Sequence, residues 1–338
     1  MPTRVAAIGV SHWHSLYDFA YLHLLSKMDD VQMVGLHDDD PGVGEHRAKE
    51  IGGNIPTFTD YKQMLSQVKP DFVLALGRHD TMAQIGLDLL DSRIPFVMEK
   101  PMSYSARQLR GVVEKAEATR GFAAVPLSMR YHPIVVTAKK FIEEGTYGPM
   151  TQFSSRMNSA SSARYPDRAC AWMLDPAVAN GGCLRNLGSH GLDAFVHLTG
   201  EGEDIEVTGA QLSWSTRGQP VEDYASVLLR SKKGVLGTVE TGNGFPRLGR
   251  DWAWMVAFRD AILTYHKDGV LRLNNADAEE VVPSELPAGG PAISLRETMA
   301  AAARGDEPPV SVRDCYRAVR LIDLAYIAAG NPYGTAEV

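Results

Sequence analysis

The chain has 338 residues, about twice the usual single-domain length, so two domains are expected and a peptide-scale or disulfide-stapled fold is excluded. Apolar residues make up 44% and charged residues 22%, values of an ordinary globular protein rather than a disordered or collagen-like chain. The 34 basic residues against 41 acidic ones give a net charge of −7, with no basic stripe to attract nucleic acid.

Met1-Pro2-Thr3-Arg4 leads directly into Val5-Ala6-Ala7-Ile8-Gly9 without the apolar region of a signal peptide. No apolar run approaches the roughly 20 residues of a membrane span, so a cytoplasmic protein with no membrane partner is expected. Cys170, Cys183 and Cys315 lack paired metal-ligand spacing and read as small core residues.

Up to about residue 126, short apolar runs alternate with helical patterns, the signature of βαβ units feeding a parallel sheet. The runs are Arg4 to Val10, Val31 to His37, Asp71 to Leu76, Pro95 to Met98 and Gly121 to Pro126. Tyr17, Ala20, Tyr21, Leu24, Leu25 and Met28 recur at helical spacing and predict a crossover helix after the first strand. Right-handed crossovers make this half a doubly wound sheet with its ligand cleft at the carboxyl ends of the strands.

Beyond residue 126 the rhythm changes. A helix is predicted from His132 to Glu144, ending at Gly145, and a strand from Met150 to Met157. Residues 159–175 are rich in Ser, Arg, Tyr and Pro without a clear period, which suggests a substrate loop. Strand-length runs then follow without intervening helices: Ile205 to Ser215, Tyr224 to Arg230, Val235 to Thr241, Trp252 to Phe258 and Ala261 to Tyr265. They predict a large open, mainly antiparallel sheet, and two helices close the chain. The expected organisation is therefore α/β, with a Rossmann domain over 1–126 and an α+β domain for substrate binding and oligomerisation over 127–338.

The first strand runs into Gly9-Val10-Ser11-His12-Trp13-His14, the context of a dinucleotide fingerprint whose glycines admit a pyrophosphate. Only Gly9 of the three small positions is Gly, and His14 is bulky where helix packing normally asks for Gly or Ala. The second strand ends in Asp38, roughly 20 residues on, where an acid bonds the adenine ribose hydroxyls. Asp39 adds negative charge and no Arg or Lys follows until Arg47, so NAD is favoured over NADP.

The run from Arg93 to Pro101 terminates an apolar strand in Glu99-Lys100-Pro101, with Lys100 at a carboxyl strand end and its direction restricted by Pro101. Here the chain resembles the Gfo/Idh/MocA family, the group of glucose-fructose oxidoreductase and inositol dehydrogenase. The resemblance continues through Trp172-Met173-Leu174-Asp175-Pro176 and Gly181 to Asp193, and covers nearly the whole chain. It implies that Lys100 reaches both the nicotinamide ribose and a substrate hydroxyl, and that His190 lies beside it. Asn186, His190 and Asp193 are about one turn apart, so a helix from Asn186 would align them on one face. Asn186 stands where some relatives have Asp; an amide orients a hydroxyl but takes no proton, which leaves proton transfer to His190. Where relatives often have Pro-Asn and then His after the fourth strand, this chain has Gly77-Arg78 and then Thr81, which alters the cofactor's ribose-phosphate side.

The resemblance implies hydride transfer between a nicotinamide and a hydroxyl-bearing carbon of a sugar, sugar acid or cyclitol. The expected catalytic groups are Lys100, His190 and Asn186. Gly9, Ser11, His12, Trp13, Asp38, Gly77, Arg78, Glu99 and Lys100 are expected to hold the cofactor. Arg130, Arg156, Arg164, Tyr165, Arg168, Trp172 and Asp175 are expected, with Asn186 and His190, to frame the substrate. Two other readings share the fold: an enzyme using tightly bound NAD for transient oxidation in elimination, epimerisation or glycoside cleavage, and a non-catalytic ligand-binding protein with a decayed cofactor site. His12 and His14 alone do not make a metal site, because no third ligand is evident and catalytic zinc needs three. A homodimer or homotetramer is expected, because the long sheet exceeds what its helices cover.

Overall fold

The computed structural model describes residues 1–246, 250–283 and 290–334. The first half contains β1 (Thr3–Ile8), α1 (Tyr21–Ser26), β2 (Val31–His37), α2 (Pro41–Glu50), β3 (Thr57–Phe58), α3 (Tyr61–Val68), β4 (Phe72–Ala75), α4 (His79–Asp91), β5 (Phe96–Met98), α5 (Ala106–Thr119) and β6 (Ala123–Ala124). The strands form a parallel sheet in the order β3-β2-β1-β4-β5-β6. Alternation along the strands serves both helical layers: Ala6 and Ile8 join the core that includes Val73, Phe96 and Leu109, while Val5 and Ala7 join that of Tyr21, Leu25 and Leu74. Strand order reverses between β1 and β4, and this is where a doubly wound sheet opens a ligand crevice.

The predicted first crossover helix is much shorter than its apolar spacing suggests. Trp13–Ser15 make a single 3-10 turn, and Asp18 and Ala20 take left-handed backbone angles (φ 57° and 48°), which an α-helix cannot contain. Only Tyr21–Ser26 remain helical. β3 at Thr57–Phe58 is too short to leave a periodic signal, and the neighbouring α3 is capped by Asp60, which accepts from the Lys62 and Gln63 amides.

The second half contains α6 (Pro133–Glu144), β7 (Met150–Asn158), α7 (Pro176–Ala179), α8 (Ser189–Thr199), β8 (Glu206–Ser213), β9 (Tyr224–Arg230), β10 (Leu236–Gly242), β11 (Asp251–Phe258), β12 (Ala261–His266), β13 (Leu271–Asn275), β14 (Glu279–Val281), α9 (Gly290–Arg304) and α10 (Val312–Ala328). Among the described residues its sheet has eight strands in the order β14-β13-β12-β11-β7-β10-β9-β8, antiparallel except for the β7–β10 pair. One face packs on helices: Ala225, Val227 and Leu229 of β9 are buried against Phe195 of α8 and Ile322 of α10. On the other face Leu228, Leu236 and Ile262 are exposed.

α10 joins the two halves. Cys315 and Val319 enter the core under the parallel sheet, whereas Ala318, Ile322 and Tyr326 enter the core of the mixed sheet. Asp323 of the same helix accepts from the Ala106 amide at the start of α5 (2.8 Å) and from Arg185 (2.6 Å), fixing the segment that carries the candidate site. Cys170, Cys183 and Cys315 are buried free thiols. Among the described residues no helix is long and apolar enough to cross a membrane.

Candidate functional site

A cleft of about 290 Å³ opens at the switch point, lined among others by Gly9, His12, Asp38, Gly77, Arg78 and Trp172. Gly9 has a left-handed φ of 71°, and a Cβ there would lie 2.7 Å from the Gly77 backbone, so β1 and β4 approach as only glycine permits. Bulky His14 is accommodated because the helix it would crowd has receded to Tyr21. Its ring packs on Phe19 with centroids 4.2 Å apart. Asp38 is buried, and its carboxylate accepts from the Ser11 amide at 2.6 Å and the Asp40 amide at 3.2 Å. Arg78 forks onto Asp80 at 3.1 and 2.7 Å.

Behind the lining of the cleft, the residues that follow β5 build a buried inner cluster. Lys100 Nζ donates to the Asn186 backbone carbonyl (2.7 Å) and to Asn186 Oδ1 (2.6 Å). Asn186 Nδ2 donates in turn to the hydroxyl of fully buried Tyr165 (2.9 Å), whose ring lies 4.8 Å from that of Trp13. The Glu99 carboxylate does not meet Lys100 Nζ within bonding distance. It accepts the Lys100 backbone amide (3.1 Å) and lies 2.9 Å from His14 Nδ1.

Asn186 sits in a π-helical turn, Leu184–Gly188, that precedes α8. Two buried anchors hold this turn. Arg185 pairs with Asp323, and Glu222 accepts from the Gly182 and Leu184 amides and the Tyr326 hydroxyl. The wider turn takes Asn186 out of the regular helix that carries His190 and Asp193. Asp193 receives a bidentate bond from Arg130 (2.7 and 3.0 Å), which also meets Asp314 at 3.2 Å. Arg130, expected to frame the substrate, is thus committed to the Asp193 and Asp314 carboxylates.

Burial, reinforced by Lys100, holds His190 down at about 3, so its imidazole is neutral around pH 7, and its Nδ1 is buried without a protein partner. Desolvation also pushes Lys100 below its ordinary value. His12 and His14 are both driven well below theirs by burial, followed by His14 for the first and Lys100 for the second. Burial raises the Tyr165 hydroxyl to about 12, so it remains protonated.

The 159–175 segment folds into three 3-10 turns over the inner end. Trp172 lines the cleft, whereas Asp175 caps α7 by accepting from the Ala177 amide. Arg164 and Arg168 both meet Asp18 at 3.4 Å and lie over the Trp13 and Tyr17 rings. Arg156 on β7 pairs with Asp251 at 2.7 Å and Glu240 at 3.8 Å. One buried residue that sequence reasoning missed is His79. Its Nδ1 is 2.9 Å from the Ala179 carbonyl, and its ring stands edge-on to Trp172. Its only signal was its position directly after Gly77-Arg78 at a strand end.

Fold and cleft together define a dinucleotide-binding α/β protein. Residues 3–125 match the oxidoreductase family with an NAD-binding Rossmann fold, and residues 135–253 match the GFO/IDH/MocA C-terminal domain. The chain belongs to the Gfo/Idh/MocA oxidoreductase family. It is 24% identical over 230 residues to an uncharacterized oxidoreductase of Schizosaccharomyces pombe, covering 68% of this chain and 60% of that protein. It is 23% identical over 220 residues to the levoglucosan dehydrogenase of Pseudarthrobacter phenanthrenivorans, covering 59% and 56%. The chain thus matches 60% or less of the length of these two relatives. An oxidoreductase from Agrobacterium radiobacter, solved in complex with NAD+, L-tartaric acid and magnesium, has the same fold, with a TM-score of 0.84 at 14% identity, covering 98% of this chain and 97% of that one.

The residues present fit a dinucleotide. Gly9 and Gly77 leave bare backbone at the switch point. The Asp38 carboxylate lines the cleft with acceptor capacity beyond its two amide bonds.

Proposed function

We propose that the protein is an NAD-dependent oxidoreductase moving hydride between the nicotinamide and a hydroxyl-bearing carbon of a sugar, sugar acid or cyclitol. The observation that carries this reading is the buried Lys100–Asn186–Tyr165 chain beyond the carboxyl end of β5, behind the switch-point cleft that His12 and Trp172 line. The names of relatives agree in substrate class, levoglucosan dehydrogenase and inositol 2-dehydrogenase among them.

Gly9, Ser11, His12 and Trp13 would flank the pyrophosphate, Asp38 the adenine ribose, Gly77 and Arg78 the opposite wall, and Glu99 and Lys100 the inner end. When bound, the nicotinamide supplies the hydride acceptor or donor. Lys100 has three N–H donors, two of them engaged by Asn186. The third is free to hold the substrate oxygen and stabilise the negative charge that develops there during oxidation. Neutral His190 accepts the hydroxyl proton at a ring nitrogen, and in reduction returns it. Asn186 aims Lys100, with Tyr165 holding the amide from behind. Trp172 walls the substrate space, and Arg164, Arg168 and Arg156 extend it outward toward charged or polar groups.

Calorimetric titration of nucleotide-free protein with both cofactors tests the placement of Asp38. A 2′-phosphate beside this carboxylate is disfavoured by about 1 to 3 kcal/mol, so NAD+ should bind roughly tenfold to a hundredfold more tightly than NADP+. Equal or tighter NADP+ binding would withdraw the assignment. Pairing of chains through the exposed face bearing Leu228, Leu236 and Ile262 belongs to the same reading. Light scattering at micromolar concentration should give a dimer or tetramer, and a monomer would contradict it.

A further inference from the structure

The fold supplies what the His12-Trp13-His14 sequence lacks, a third ligand. The side chains of His12, His14 and Glu99 converge so that one ligand atom from each lies within 4.8 Å of the other two, and all three residues are buried. Glu99 comes from the end of β5, 85 positions from His14 in the chain. We propose that His12, His14 and Glu99 form a binding site for a divalent transition-metal ion of the zinc class.

The donor set is that of known metal centres. Two imidazoles and one carboxylate bind zinc in thermolysin-type sites and iron in facial-triad sites, and in both cases leave coordination positions open. The charge pattern points the same way. Buried carboxylates are normally paired with a cation or bound to a metal. Glu99 is 1% exposed, and Lys100 Nζ, though close enough to feel its charge, hydrogen-bonds to the two Asn186 oxygens instead. Glu99 contacts an imidazole at 2.9 Å and a backbone amide at 3.1 Å, and it interacts with the Tyr21 hydroxyl, none of them a fixed cation. Loading asks little rearrangement, since His14 and Glu99 are already in contact. The remaining partner, His12, contributes a ring nitrogen, and its Nδ1 accepts the His14 amide over a long 3.2 Å bond. The rings are also held in place, His14 against Phe19 at 4.2 Å and His12 beside Trp172 at 6.3 Å. The opposing term is repulsion from Lys100, which two carbonyl-type oxygens partly offset.

Two of the three ligands, His12 and Glu99, also belong to the cofactor set of the hydride-transfer reading, so the test uses nucleotide-free protein and reads metal, not turnover. Full-length, tag-free, nucleotide-free protein is stripped with chelator and titrated with Zn2+ against a chromogenic competitor, and with Co2+ by visible absorption. One equivalent of Zn2+ should bind, with Co2+ bands of a low-coordinate site. His14→Ala and Glu99→Gln should each weaken binding by about 100-fold or more while far-ultraviolet circular dichroism keeps the wild-type form. X-ray absorption of the wild-type zinc complex provides a readout that requires no variant to fold, and should show two imidazoles with Zn–N distances of about 2.0–2.1 Å. Absence of stoichiometric binding, undiminished affinity in the folded variants, or a shell with sulfur or without imidazole would each overturn the proposal.

Discussion

The two ends of the cleft treat charge in opposite ways. At the inner end Lys100 is 4% exposed and each contact replaces water, whereas at the rim the side chains of Arg164 and Asp18 are 41% and 35% exposed and share their charge with solvent. A buried group that loses its partner bears a full desolvation penalty, while an exposed ion pair is largely screened. Residues of the same chemical type should therefore differ greatly in consequence between the two ends.

The largest expected effect is at Lys100. Lys100→Ala should lower kcat by about 10² to 10³, the usual worth of one oriented donor at developing charge. A variant with near wild-type kcat would break the contrast at its centre.

Burial can also be tested by pH. His79, His132 and His190 are held at about 3, 4 and 3, with burial the leading cause for each. Their folded values lie below the ordinary 6.5, so stability is fully present above that pH. It falls as pH drops toward 4 and 3, because the unfolded chain takes up protons that the folded chain refuses. Each such histidine contributes a slope of about 1.4 kcal/mol per pH unit within that window. His132 stacks on Trp254 with centroids 5.7 Å apart, so His132→Phe keeps the ring contact and should flatten urea-unfolding stability against pH by about one such slope. An unchanged slope would show that this site is wet.

The smallest effect belongs to the rim. Asp18→Asn removes the shared partner of Arg164 and Arg168, and should change stability by less than about 1 kcal/mol, with any kinetic change confined to KM. A loss in kcat as large as that of Lys100→Ala would place the rim inside the chemistry.

The same divide between local and long-range causes decides what was readable in the chain. Periodicity and turn chemistry act locally, so β9 at Tyr224–Arg230 and the end of α6 at Gly145 fall where the pattern put them. Lys100 before Pro101 and Gly9 after β1 also carry their reasons in their neighbours. Spacing alone assumes a regular turn from Asn186 to His190, whereas Asn186 lies in a π-helical turn ahead of the regular helix that carries His190 and Asp193. The π-helical turn at Leu184–Gly188 depends on Glu222 and Asp323, far away in sequence. Arg130 was indistinguishable from a substrate arginine until Asp193 and Asp314 closed on it. The convergence of Glu99 on His12 and His14 was invisible for the same reason. α1 was overestimated because its apolar spacing continues through a bend at Asp18 and Ala20, which only backbone angles reveal.

The most direct measurement follows the hydride itself. Wild-type protein is incubated with NAD+ and a panel of sugars, sugar acids and cyclitols deuterated at their hydroxyl-bearing carbons, and the nicotinamide is analysed by mass spectrometry. For at least one member, deuterium should pass to the nicotinamide ring in the wild type, and about 10² to 10³ times more slowly in Lys100→Ala. NAD+ that binds yet never gains label from any member, or label that transfers equally well without Lys100, would contradict hydride transfer at this site.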